Sequence, residues 1–328
     1  MAIRAGVFSG TRVLVFPEAT RVGQLYTRPT TLTGGQDSIR ANEGWTYVGV
    51  ARGRVVLPAS TELMLRVRQR DLSFLRGMSA DAFWMLDCAG LGLTDQEAES
   101  LKFSAQLHAL NLARNPALTD RCLAHLTGHE SLEWLCLDGT AVSRDVVSAN
   151  ALGRRPNLTF FSANGSRFEN GGVVHLLECS KLRVLQLDRT MLTKAGTPNL
   201  RYFRNLETLS LADTRVGNKV VWSLWNMSKL QNLNLSGTLT KDADLHYLPM
   251  LPRIRFLNLD RTEVTNACVS SLLACRRLEQ VSVNGTGITA VGLPGKHQRT
   301  QPRIVNARDG ETQPRDLGSI SRQIAESI

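Results

Sequence analysis

The chain has 328 residues, of which 42% are apolar, 21% charged and only 6% aromatic. That length leaves room for a large core, and the composition excludes a wholly disordered chain. Six cysteines are too few to staple a protein of this size, and no apolar run reaches the ~18 residues that a spanning helix needs.

The formal charge is +10, and residues 1–80 carry more than half of it, with 11 basic side chains against 5 acidic. Such an end supports weak contact with RNA or an anionic surface, although a basic end-domain kept soluble by its arginines is the plainer reading. Gly, Ser, Thr and Arg break the N-terminal stretch before an apolar segment forms, so no signal peptide is read there. The expected location is cytoplasmic.

Residues 1–80 hold short runs rich in β-branched and aromatic residues at 13–16, 45–50, 54–57 and 62–67, separated by Gly and Pro. They predict a small β module, with a long loop over 27–42 and a turn at 72–77. From residue 81 the chain becomes periodic. Six-residue segments begin at Phe83, Leu107, Leu132, Leu158, Leu182, Leu206, Leu230, Ile254 and Leu278, at intervals of 24, 25, 26 and then 24 throughout. Repeats of this length stack, because no single unit can bury its own apolar face.

The unit, counted from each start, reads LxxLxLxxTxV, with Leu again at position 19 and a smaller or variable residue at position 22. It resembles the leucine-rich repeat superfamily, especially its Thr-containing variants. Asn115 alone keeps the Asn usual at position 9; Thr140, Thr190, Thr214, Thr238, Thr262 and Thr286 stand there in six other repeats. The resemblance implies a solenoid with a parallel sheet on its concave face. The fold class is therefore α/β, with a β cap at 1–80, about nine repeats over 81–292 and a polar, mostly disordered tail at 293–328.

Strand alternation turns positions 4 and 6 inward and positions 3 and 5 outward. Thr at position 9 can close the turn after the strand through its hydroxyl, a task Asn performs with one more donor. Cys88, Cys179 and Cys275 fall at inward positions as small hydrophobes, whereas Cys136 at position 5 is expected on the open face.

Read as columns across the sheet, the outward positions put Trp134, Phe160 and Val184 side by side as an apolar strip. Aromatic anchors ringed by polar groups are what protein interfaces favour. Arg183, Gln186, Asp188, Arg255, Phe256, Asn258 and Asp260 complete the candidate protein-binding set. Basic and acidic side chains nearly balance on this face, which disfavours phosphate tracking.

The sequence contains no glycine-rich phosphate loop, nucleophile elbow, paired cysteine motif or zinc-protease motif. His125 and His129 lie four apart but lack further ligands. No catalytic residue, metal or cofactor is assigned, and the expected protein is a non-enzymatic scaffold that binds a protein or peptide on its concave face. Two alternatives come from elsewhere: an adaptor or effector in a ubiquitin-ligase or signalling complex, by analogy of fold, and weak RNA or anionic-surface binding through the basic N-terminal region.

Overall fold

The computed structural model describes residues 7–8, 11–29, 44–143, 155–217, 219–289 and 303–305. They divide into two compact units, residues 1–162 and 163–328.

The first unit contains β1 (Val7–Phe8), β2 (Thr11–Val15), β3 (Gly23–Pro29), β4 (Thr46–Ala51), β5 (Arg54–Pro58) and β6 (Thr61–Val67), then β7 (Met85–Asp87), β8 (Ala109–Asn111), β9 (Trp134–Cys136) and β10 (Phe160–Ser162). Strands β1, β2 and β5 form a small antiparallel sheet. A second sheet runs β4-β3-β6 antiparallel and then continues β7-β8-β9-β10 in parallel. The join lies at β6 and β7, where Met64 stands opposite Met85 and Leu65 opposite Leu86. The β module thus supplies the strand on which the first repeat is laid.

β3 falls between the runs that the sequence predicts as strands. Gly23 begins it because a Cβ there would overlap the Arg66 carbonyl of β6. Residues 27–29, expected in a loop, belong to this strand; the rest of that loop, 30–43, lies outside the described residues.

In the second unit β11 (Val184–Gln186), β12 (Thr208–Ser210), β13 (Asn232–Asn234), β14 (Phe256–Asn258) and β15 (Gln280–Ser282) pair in parallel in chain order. β16 (Arg303–Val305) pairs with β15, Gln280 opposite Arg303. These three residues form a strand within the segment expected to be a mostly disordered tail; residues 293–302 before them and 306–328 after them lie outside the described residues. The periodic signal misses this coil because only Ile304 of its strand matches the leucine pattern.

Short helices fill the return segments: α1 (Asp95–Ala98) and α2 (Arg121–Ala124) in the first unit, and α3 (Asn170–His175), α4 (Thr197–Leu200), α5 (Val220–Ser223), α6 (Asp242–Leu245) and α7 (Val269–Leu273) in the second. A 24-residue coil leaves too little chain for longer helices, and Pro198 sits in the first turn of α4, where its missing N–H costs nothing.

The core follows the repeat. Leucines at positions 4 and 6, such as Leu209 and Leu211, are buried, as are Leu101, Leu176, Leu200, Leu224, Leu248 and Leu272 at position 19. Position 9 does what its chemistry allows. The Thr140, Thr190, Thr214, Thr238, Thr262 and Thr286 hydroxyls each donate to the carbonyl three residues back, at 2.6–2.7 Å. Asn115 donates to the Leu112 and Cys88 carbonyls and accepts from the Leu93 amide.

Position 8 carries a regularity that sequence reading did not find. Gly90, Gly139, Gly165, Gly237 and Gly285 have positive φ there, and so do Arg114, Arg189, Asp213 and Arg261. The turn demands a left-handed residue in every repeat, whatever the side chain.

Candidate functional site

The outward strand positions do not form the open apolar strip expected of them. Trp134, Phe160 and Val184 are 0%, 1% and 2% exposed. In the first unit, parallel register sets Trp134 directly opposite Phe160, and the rings stack at 4.8 Å with 12° between their planes. Each ring covers a face of the other, so this pair belongs to the packed interior. Cys136, expected on the open face, is equally buried. Desolvation first, and the nearby Asp138 carboxylate second, push its thiol pKa well up. It is not a reactive thiolate.

Several remaining candidates prove to be framework. The Asp188 carboxylate accepts from the Ser210 hydroxyl at 2.5 Å and the Ala212 amide at 2.7 Å. Asp260 accepts from the Ser282 hydroxyl at 2.7 Å and the Asn284 amide at 2.6 Å. Within the first unit, Asp138 accepts likewise from Ser162 at 2.5 Å. An Asp at position 7 therefore ties down a Ser at position 5 of the next repeat. Asn258 accepts from the Asp260 amide at 2.9 Å, and Gln186 is buried. A second ladder runs along the return edge, where Asp95 holds Thr119, Asp120 holds Ser143 and Asp242 holds Thr265 through both amide and hydroxyl. Its sequence signal, an Asp followed 23 or 24 residues later by a Thr or Ser, is weak because Asn170 and Asn266 replace the Asp in other repeats.

The open part of the strand face lies in the second unit. Thr208, Asn232, Phe256 and Gln280 at position 3 are all partly exposed. Beside them Arg183 makes a two-point pair with Glu207 at 3.0 and 2.9 Å, and Arg255 with Glu279 at 2.7 and 3.0 Å. The Arg255 guanidinium also lies 5.2 Å from the centre of the Phe256 ring. Each Arg is held by the Glu one strand on, which fixes its guanidinium plane while leaving its edge accessible.

The first unit has a different cluster. Arg28 sits 4.5 Å from the Trp45 ring centre and 4.2 Å from that of Trp84, with its Nε 2.5 Å from Glu62. Trp84 stacks in turn on His108 at 5.5 Å and 8°. Both faces of Trp84 are occupied, so the cluster braces β3 against β7 and β8. His129 is buried, its Nδ1–H donating to the Leu126 carbonyl at 3.0 Å. Among the described residues no three His, Cys, Asp or Glu stand together as a metal site, and all six cysteines are buried thiols.

Comparison with solved structures places this architecture among leucine-rich repeat folds. An internalin, InlF, from Listeria monocytogenes superposes with a TM-score of 0.60 at 16% identity, covering 74% of this chain and 65% of its own. Internalin C2 from the same organism gives 0.51 at 18% identity, covering 65% of this chain and 84% of its own. This chain thus spans less than two thirds of the length of InlF. No protein-family model and no curated protein matches it. At these identities the likeness is one of fold, that of leucine-rich repeats. The expected cytoplasmic location is contradicted by the match to the two internalins, and a likeness of fold assigns no other location to this chain. No helix among the described residues is long and apolar enough to cross a membrane.

Proposed function

We propose that the chain is a protein-binding scaffold whose working surface is the strand face of the second unit, centred on Arg255 and Phe256 with Arg183 farther along it. The observation that carries this reading is the exposure of Phe256 beneath a guanidinium already fixed by Glu279. Aromatic and Arg side chains dominate binding energies at protein interfaces, and a pre-fixed Arg loses less freedom when it binds. The short polar neighbours Thr208, Asn232 and Gln280 supply hydrogen-bonding groups without steric bulk. Residues 1–80 serve in this reading as the cap of the first repeat, supported by the β6–β7 pairing. Nothing in the site favours a ubiquitin-ligase or RNA role.

A photo-crosslinking amino acid at position 256, compared with one at 160, tests the assignment in extract of the source cells. Capture of a defined protein from 256 and not from 160 is expected. Equal capture from both, or from neither, contradicts it.

A further inference from the structure

The face of the second unit that carries the short helices presents large apolar side chains to solvent. Trp222 on α5 is 41% exposed, Trp225 just beyond it 49%, and Tyr202 after α4 52%. Met250 and Leu273 continue the series in the next two repeats. Helices α4, α5 and α6 stand side by side in successive coils, so these tips form a line along one side of the unit.

Cations accompany the line. Residues 194–205 and 215–229 contain Lys194, Arg201, Arg204, Arg215, Lys219 and Lys229 and no acidic residue. Arg253, Arg276 and Arg277 follow in the next coils. The acidic groups of those coils are already engaged: Asp244 with the Lys219 and Lys241 amides, Asp242 with Thr265, and Glu263 with Lys241. Among the described residues Arg204, Arg253, Arg276 and Arg277 make no ion pair, so the surplus charge faces water.

We infer that this face docks on an anionic phospholipid surface. Trp and Tyr settle at the headgroup level, where an apolar ring and a polar edge are both satisfied, and nearby Lys and Arg meet the lipid phosphates. The arrangement favours lipid over an acidic protein. Protein hot spots gather in one desolvated centre, whereas here one or two proud tips stand in each of four consecutive repeats, each flanked by its own cations. A plane can meet all of them together.

The test is flotation of the full chain with vesicles of phosphatidylcholine alone or mixed equally with phosphatidylglycerol, following tryptophan emission. The expected result is flotation with the anionic vesicles only, a blue shift in emission and release by high salt. Trp222→Ser/Trp225→Ser and, separately, Arg276→Glu/Arg277→Glu should each weaken partitioning by about tenfold or more while circular dichroism stays unchanged. Absence of flotation overturns the inference. So does undiminished flotation of both variants, which would move binding to another surface such as the basic residues 1–80. A blue shift with poly-glutamate but not with vesicles also overturns it, in favour of an acidic protein partner.

Discussion

Asp213 and Arg261 meet at 3.0 Å although a whole repeat stands between them. Both occupy position 8, both have positive φ, and the residue of the intervening repeat at that position is Gly237. A Cβ on Gly237 would overlap the Asp213 carboxylate. The glycine therefore serves twice, adopting the left-handed turn without strain and leaving the gap through which its neighbours join.

Gly237→Ala should consequently cost more than the ~1 kcal/mol of a left-handed alanine, because the carboxylate must also move. Arg189→Gly, at the same position of another repeat, relieves strain and should be neutral or stabilising by up to about 1 kcal/mol. Urea denaturation of the two variants measures both signs.

Trp134 and Phe160 lie in the interior, so truncating either to alanine should remove about 3–5 kcal/mol of stability. Thermal melting checks this. Had the pair formed an open strip, the same changes would leave the melting temperature almost untouched.

The Asp260–Ser282 contact predicts an asymmetry. Asp260→Ala strands both the Ser282 hydroxyl and the Asn284 amide and should cost about 1–3 kcal/mol, whereas Ser282→Ala removes one donor and should cost about 1 kcal/mol. A double-mutant cycle should show that the two losses are not additive.

His129 gives the protein a pH dependence. Burial first, and the neighbouring Arg155 charge second, hold its pKa down at about 4, against an ordinary value of 6.5. The unfolded chain then takes up a proton that the native state refuses, so stability falls as pH drops through this window and levels off below it. The shift corresponds to about 3 kcal/mol at most. Denaturation midpoints of the wild type and His129→Phe, measured from about pH 7 to about pH 4, should converge in slope only above the ordinary histidine pKa.

The repeat, its inward leucines and the role of Thr at position 9 were legible because each is a local rule restated in every coil. The left-handed position 8 was not, since Gly, Arg and Asp share no side-chain chemistry and only the backbone unites them. Alternation turns Trp134 away from the leucine core, but direction is not exposure. Exact register with Phe160 closed a face that sequence alone left open. The exposed aromatics Tyr202, Trp222 and Trp225 fall in return segments whose spacing carries no strand-like rule, so nothing in the sequence marks them as exposed.

The most direct test of where this protein works is a quantitative pull-down with Arg255→Glu/Phe256→Ser beside the wild type and Trp222→Ser/Trp225→Ser, all verified as folded. One protein partner should be lost with the Arg255/Phe256 pair at an unchanged melting temperature, and kept by the Trp222/Trp225 pair. Full retention of that partner by Arg255→Glu/Phe256→Ser would contradict this.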